Sequence, residues 1–338
     1  MDNLESSTYE FFEMAQPKYN RYEEAIYQAM GDIVAARKLE GGDAKQPQSV
    51  HVMVVGAGRG PLIRRSLSAA RRLGVDVFVT GVEKNVNAVN TLRNMVLSEE
   101  MKNVAILSGD MRSVSKKGGW ARPADIVVSE LLGSFSDNQL SPECLYPTER
   151  FGHSGTVYIP GYYRSLFRPM SSQILWEGVE KIECPANENP FEKGYDTCIH
   201  GASYPCGDEV ATVFEFWHPC EDKGSKRDAE ATFRALQDSW ITGMAGYFEA
   251  QLYKDVWISI NPGTHTEDLH AWFPMYFPIK ERLFVRKGEE VIAFMWRCAE
   301  AHKIWYEWCV GVRREDGRET SSGIHNCNGT SYWFGSIS

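Results

Sequence analysis

Val54-Val55-Gly56-Ala57-Gly58-Arg59-Gly60-Pro61 sets three glycines at alternate positions between an apolar run and a proline suited to open a helix. Glycines at such a turn let a ligand approach the backbone, and the helix start behind them offers unpaired N–H groups. The chemistry is nucleotide binding. A dinucleotide fingerprint reads G-x-G-x-x-G, whereas this turn reads G-x-G-x-G with proline behind it, a form more typical of S-adenosylmethionine (SAM) sites. Glu83 lies 25 residues beyond Gly58, after a second apolar run, where a carboxylate can accept both ribose hydroxyls of NAD or of SAM. Asp110-Met111 follows a third run and is suited to an adenine amino group and ring face. A ligand-free glycine turn is the minor alternative; taken alone either acid reads as a solvated strand end, and together with the glycines both favour a nucleoside.

Helix and strand patterns position these groups. Residues 7 to 38 read as helix in two parts, with Ser7 and Glu10 as a capping box and Pro17 as the interruption; Tyr22, Ile26, Met30 and Ile33 then share one face. From His51 short apolar runs alternate with helical ones: strands at 51–55, 76–82, 104–107 and 125–128, helices at 61–73 and 85–97. That alternation predicts a parallel sheet with crossover helices, and it leaves Glu83, Asp110 and Glu130 at strand ends. Beyond about Pro160 aromatic, alternating segments take over (212–217, 247–260, 291–298, 304–312), predicting an antiparallel barrel or sandwich. The expected division is a pair of lid helices over the cofactor at 1–37, a Rossmann-like domain at 38–160 and a β-barrel-like domain at 161–338. A polar excursion at 183–209 is a candidate dimerisation arm.

The loop Ser129-Glu130-Leu131-Leu132-Gly133-Ser134-Phe135-Ser136-Asp137-Asn138-Gln139 carries the most specific pattern. With Gly56-Ala57-Gly58-Arg59-Gly60-Pro61-Leu62 and Val82-Glu83-Lys84-Asn85 it resembles the type II, symmetric-dimethylating protein arginine methyltransferases. Tyr9-Glu10-Phe11-Phe12, Pro17-Lys18-Tyr19, Ala271-Trp272-Phe273-Pro274, Phe294-Met295-Trp296-Arg297-Cys298 and Trp305-Tyr306-Glu307-Trp308 extend the resemblance over essentially the whole chain. Animal members of that family carry a (β/α)₈ barrel before this region, and the sequence starts after it. The WD-repeat partner that relatives hold through that barrel is therefore not expected here.

The resemblance implies methyl transfer from SAM to arginine, leaving S-adenosylhomocysteine, with Gly/Arg-rich protein tails as substrates, a homodimer and no metal. It makes Glu130 the first glutamate of an arginine clamp. Gln139 occupies the place of the second, so half the clamp charge is absent and a 10²–10³-fold loss of turnover is expected; Asp137 is the alternative second acid. Phe12, Trp272 and Phe273 match substrate-binding positions. Tyr9, Lys18 and Tyr19 match positions covering SAM, with Lys18 able to meet its carboxylate, beside Gly56, Gly58, Glu83, Asp110 and Met111. The alternative is a catalytically weak scaffold that binds SAM and arginine peptides; an NAD-dependent dehydrogenase is disfavoured by the glycine spacing.

Composition fits. A net charge of -9 across 338 residues disfavours nucleic acid, whose phosphates need a basic footprint. No apolar run approaches the roughly 20 residues of a spanning helix. The eight cysteines show neither a C-x-x-C pair nor zinc-ligand spacing, and the N-terminus lacks secretory features, so reduced thiols in cytoplasm or nucleus are expected. None of the eight histidines sits beside a nucleophile motif, and His265 reads as a loop residue.

Overall fold

The computed structural model describes residues 15–39, 49–114, 122–185, 188–199, 201, 203–300 and 303–334. Helix α1, Gln16–Leu39, has Pro17 in its first turn, where a missing N–H costs nothing. Tyr22, Ile26 and Met30 are buried. The helical part expected before Pro17, with Ser7 and Glu10, lies outside the described residues.

Strand β1, Val50–Val55, leads through the glycine turn into α2, Pro61–Leu73, which Gly60 opens and Gly74 closes in the left-handed region. Strand β2, Val77–Glu83, runs into α3, Val86–Ser98, whose Asn85 cap accepts the Asn87 N–H. Strands β3, Val104–Ser108, β4, Ile126–Ser129, and β5, Val157–Ile159, complete a parallel sheet of order β3-β2-β1-β4-β5. The sheet is Rossmann-like, and its strand order reverses between β1 and β4, where open α/β sheets bind ligands beyond the carboxyl ends. Register makes that edge level: Val55 pairs with Val82 on one side and Ser129 on the other. Gly56, Glu83 and Glu130 therefore leave the sheet side by side.

After the short helix α4, Ser141–Leu145, and β5, the chain turns antiparallel. Strand β6, Tyr162–Ser171, is followed by α5, Gln173–Glu180, then β7, Tyr195–Asp196, β8, Tyr204–Pro205, β9, Ala211–Trp217, and β10, Arg227–Arg234. The remaining strands are β11, Ser239–Tyr253, β12, Val256–Ser259, β13, Met275–Val285, β14, Glu290–Ala299, β15, Ile304–Arg313, and β16, Glu319–Ser321. Seven of them build a sheet around β11 and β6, and β10-β14-β15-β16 form the other, giving a barrel-like second half. Phe277 lies 5.4 Å from Trp308, and Phe135, from the loop after β4, inserts between Phe277 at 5.0 Å and Tyr306 at 5.4 Å. A Cβ on Gly246 would approach Phe135 and Phe277 to 2.8 Å, so that glycine makes room for the insertion.

One expectation changes. The segment read as one alternating stretch at 247–260 is a hairpin, because Lys254 adopts a φ of 47° and the chain reverses between β11 and β12. Within the excursion at 183–209, β7 pairs with β13, β8 with β6, and buried Phe191 packs 5.3 Å from Trp176.

His218 is buried, with Nε2 2.9 Å from the Tyr163 hydroxyl and Nδ1 without a partner among the described residues. Burial pulls its pKa down to about 3. An unfolded histidine titrates near 6.5, so stability is full above that pH and falls as pH drops toward 3, by about 1.4 kcal/mol per unit. Urea midpoints measured from pH 7 to 4 should fall, and His218→Gln should flatten the dependence by about one proton.

Candidate active site

The glycine turn owes its shape to two close approaches. Gly56, φ 73°, leaves space that a Cβ would lose to Leu131 at 3.2 Å and Met111 at 3.4 Å; Gly60, φ 100°, would meet Met95 at 2.9 Å. Glu83 is buried and accepts the Gly58 N–H on Oε2 and the Asn85 N–H on Oε1, both at 2.8 Å. One carboxylate thus fixes the turn and the start of α3, and each oxygen keeps a lone pair for a ribose hydroxyl. A cavity of about 450 Å³ adjoins the turn between the first turns of α1 and α2, lined in part by Tyr19, Glu23, Arg59, Pro61 and Arg65.

Asp110 is half-buried and held by Arg112, whose Nη2 lies 2.7 Å away and whose hydrogen bonds keep the carboxyl below the usual range. Met111 is buried beside Gly56. The loop carrying both is tied from outside by Arg150, which donates to the carbonyls of Met111 at 2.8 Å and Arg112 at 2.7 Å. Sequence reasoning passed over Arg150, since a lysine or arginine near a turn carries no local signal.

At the end of β4, Glu130 accepts a hydrogen bond from Lys18 Nζ at 2.9 Å. Lys18, from the first turn of α1, is almost wholly buried, with Nζ 4.7 Å from the Tyr19 ring centroid and 5.0 Å from that of Trp272. The Trp272 indole N–H donates to the Leu132 carbonyl at 3.0 Å, and Phe248 packs edge-on at 5.1 Å, so the ring has one orientation. Lys18, Tyr19, Glu130 and Trp272 are thereby gathered from three parts of the chain. Phe273, beside Trp272, is about half exposed. Tyr9 and Phe12 lie outside the described residues. Tyr22 is a further member that sequence read as core: its hydroxyl is buried and has no hydrogen-bond partner among the described residues, and burial, with the nearby Glu130 charge, pushes its pKa well up.

Beyond Glu130 the loop closes on itself through paired Gly133 and Ser136 backbone groups and the Phe135 N–H donated to Asn138 Oδ1 at 2.9 Å. Gln139 follows, partly buried, and among the described residues its amide has no hydrogen-bond partner. Asp137 is not the second acid of a clamp. It is fully buried and paired with Arg297 of β14, whose guanidinium also grips Glu143 through Nη1 at 3.0 Å and Nη2 at 2.9 Å. Burial drives Arg297 and Asp137 each toward its neutral form; at Arg297 the two facing carboxylates outweigh it and raise the pKa, so the guanidinium stays charged. Gln139 is bracketed by these anchors, two residues after one and four before the other.

Among the described residues no cluster of three or more histidine, cysteine or acidic side chains is placed to hold a metal ion, and none of the eight cysteines is in a disulfide. Residues 1–159 match the family model described as PRMT5 arginine-N-methyltransferase, and residues 162–334 match the PRMT5 oligomerisation domain. The chain belongs to the PRMT5 family. It is 40% identical to protein arginine N-methyltransferase 5 of Xenopus laevis over 99% of its length and 51% of that protein's. It is 39% identical to the Oryza sativa subsp. indica protein of the same name, again over 99% of this chain but 49% of the relative. The chain thus spans about half the length of the curated PRMT5 relatives it matches. Its fold is shared with protein arginine methyltransferase 10 of Arabidopsis thaliana, at a TM-score of 0.71, 12% identity, and coverage of 96% of this chain and 97% of that one. A Trypanosoma brucei PRMT1 enzyme-prozyme complex with AdoHcy gives 0.69 and 13%, covering 92% and 95%.

Two substitutions test the geometry. Glu83→Ala frees the Gly58 and Asn85 N–H groups, so calorimetry with S-adenosylhomocysteine should show binding about 10–100-fold weaker, since hydrogen bonds to a charged group are worth roughly 1.5–3 kcal/mol. Arg297→Met leaves two buried carboxylates unpaired and should cost about 3–5 kcal/mol in urea unfolding.

Proposed function

We propose that this chain is the catalytic half of a protein arginine N-methyltransferase that takes its methyl from SAM. The observation that carries the reading is the Glu130 carboxylate and the Trp272 ring holding a cation between them in a buried seat, beside a glycine turn at the switch point of the sheet. The residues fit the cofactor: the glycine cradle that a Cβ would fill, Glu83 for the ribose and Asp110-Met111 for the adenine. When bound, SAM supplies an electrophilic methyl on a sulfonium.

Guanidinium stays protonated at physiological pH, so two cations must approach each other. A unit charge pair at about 4 Å and an effective dielectric near 20 is worth roughly 4 kcal/mol, enough for flanking carboxylates to decide whether the complex forms. Glu130 accepts the guanidinium fork and aims one terminal nitrogen; Trp272 stacks on its face and excludes water. The substrate proton leaves after the methyl arrives, so no strong base is needed. Gln139 preserves the shape of a second clamp member and one acceptor oxygen, but its NH₂ faces the substrate's donors and its charge is nil.

Gly/Arg-rich protein tails are the proposed substrates, monomethyl and symmetric dimethylarginine the proposed products, and cytoplasm or nucleus the proposed location. The oligomerisation-domain match at 162–334 supports a homodimer, with 183–209 as a candidate arm. The neutral Gln139 amide favours a second reading, a scaffold that binds SAM and arginine peptides with weak turnover. Mass spectrometry of a Gly/Arg peptide incubated with SAM separates the two. Gln139→Glu should raise turnover about 10²–10³-fold, equivalent to roughly 3–4 kcal/mol. Easily measured turnover in the unaltered chain, or none gained by the glutamate, counts against the clamp assignment.

A further inference from the structure

Lys18 lies where the proposed reaction places its substrate. Its Nζ is 2.9 Å from Glu130 Oε2 and 5.0 Å from the Trp272 ring centroid, and the residue is 1% exposed. A carboxylate beside an aromatic face is the recognition set for an arginine side chain. We infer that Lys18 is an internal competitor for the arginine seat: its ammonium occupies Glu130 and Trp272 until a substrate guanidinium displaces it, making Lys18 a determinant of substrate affinity. The inference rests on the seat assigned above and is independent of turnover.

Three observations support the exchange. Glu130 is balanced by Lys18, and Gln139 adds no charge, so an arriving guanidinium meets little net attraction until the ammonium withdraws. Lys18 sits in the first turn of α1, so its departure needs movement of a helix end and leaves intact the buried Tyr22, Ile26 and Met30 face. The orphaned Tyr22 hydroxyl, one turn further along from Lys18, leaves a buried polar atom unsatisfied where a ligand's polar group would satisfy it. A purely structural ion pair calls for no such spare capacity.

Reductive methylation of lysines in the full chain, read by peptide mass spectrometry, tests the exchange directly. Lys18 should label far more slowly than exposed Lys181, and a saturating Gly/Arg peptide should speed its labelling by up to about tenfold, while the same peptide with citrulline for arginine should leave it unchanged. If Lys18 holds the seat about nine-tenths of the time, apparent affinity is lowered tenfold. Calorimetry should therefore find Lys18→Gln binding the arginine peptide about tenfold more tightly than the unaltered chain, with the gain abolished by adding Glu130→Gln. Labelling insensitive to a bound arginine peptide, or Lys18→Gln binding no more tightly, overturns the competitor role and leaves the methyltransferase reading to Gln139→Glu turnover. Absence of arginine-dependent binding in both forms overturns the competitor and the seat together.

Discussion

The Arg297 guanidinium, enclosed within the barrel and shared between Asp137 and Glu143, sets the position of everything that follows β4. Such a buried triad adds little net stability, because desolvating three charges cancels most of their attraction. Its contribution is positional. A fork of fixed shape reaching from β14 to both sides of Gln139 leaves the loop one place to lie. Phe135, inserted between Phe277 and Tyr306, fixes the same loop at its other end. The α/β half and the barrel are thus joined through the loop that begins with Glu130, and a shift of either half relative to the other would move the candidate clamp.

Level strand ends do the corresponding work on the cofactor side. Because Val55 pairs with both Val82 and Ser129, the glycine turn, Glu83 and Glu130 emerge together at the point where strand order reverses. Glu83 then ties β2's end to the turn by accepting the Gly58 N–H, so the cradle is set before any ligand arrives. Such preorganisation lowers the ordering cost of binding.

The α/β half was legible because its signals are local. Pro61 and Gly74 bound α2 at the residues where its apolar period starts and stops, and buried parallel strands read as short continuous apolar runs. The barrel was less so. Strand β13 carries Pro278 and the run Lys280-Glu281-Arg282, and β11 shifts register between Ile241 and Gly243 opposite it, so alternation fails where the sheet bends. A Cβ at Gly243 would come within 2.4 Å of the Phe277 carbonyl, a close approach invisible to periodicity. The site divides the same way. Glu83 and Asp110 stand at readable strand ends, whereas Lys18 meets Glu130 across 112 residues and Asp137 owes its burial to a guanidinium on β14. No local pattern distinguishes Glu130 from Asp137 on the same loop.

That distinction bears on how the proposed seat, with one acid, would select arginine. An ammonium is a point charge without a planar fork, and Lys18 donates to one oxygen of Glu130, Oε2. A guanidinium engages both carboxylate oxygens and lays its plane against an aromatic ring. The proposed exchange of Lys18 for substrate would therefore leave the pocket's charge unchanged and would be driven by the second hydrogen bond and the stacked face. With a carboxylate at position 139 the balance would differ in kind, since one acid could retain the lysine while both held the arginine. The amide at Gln139 removes that option, and geometry becomes the main basis on which the seat can prefer its guest.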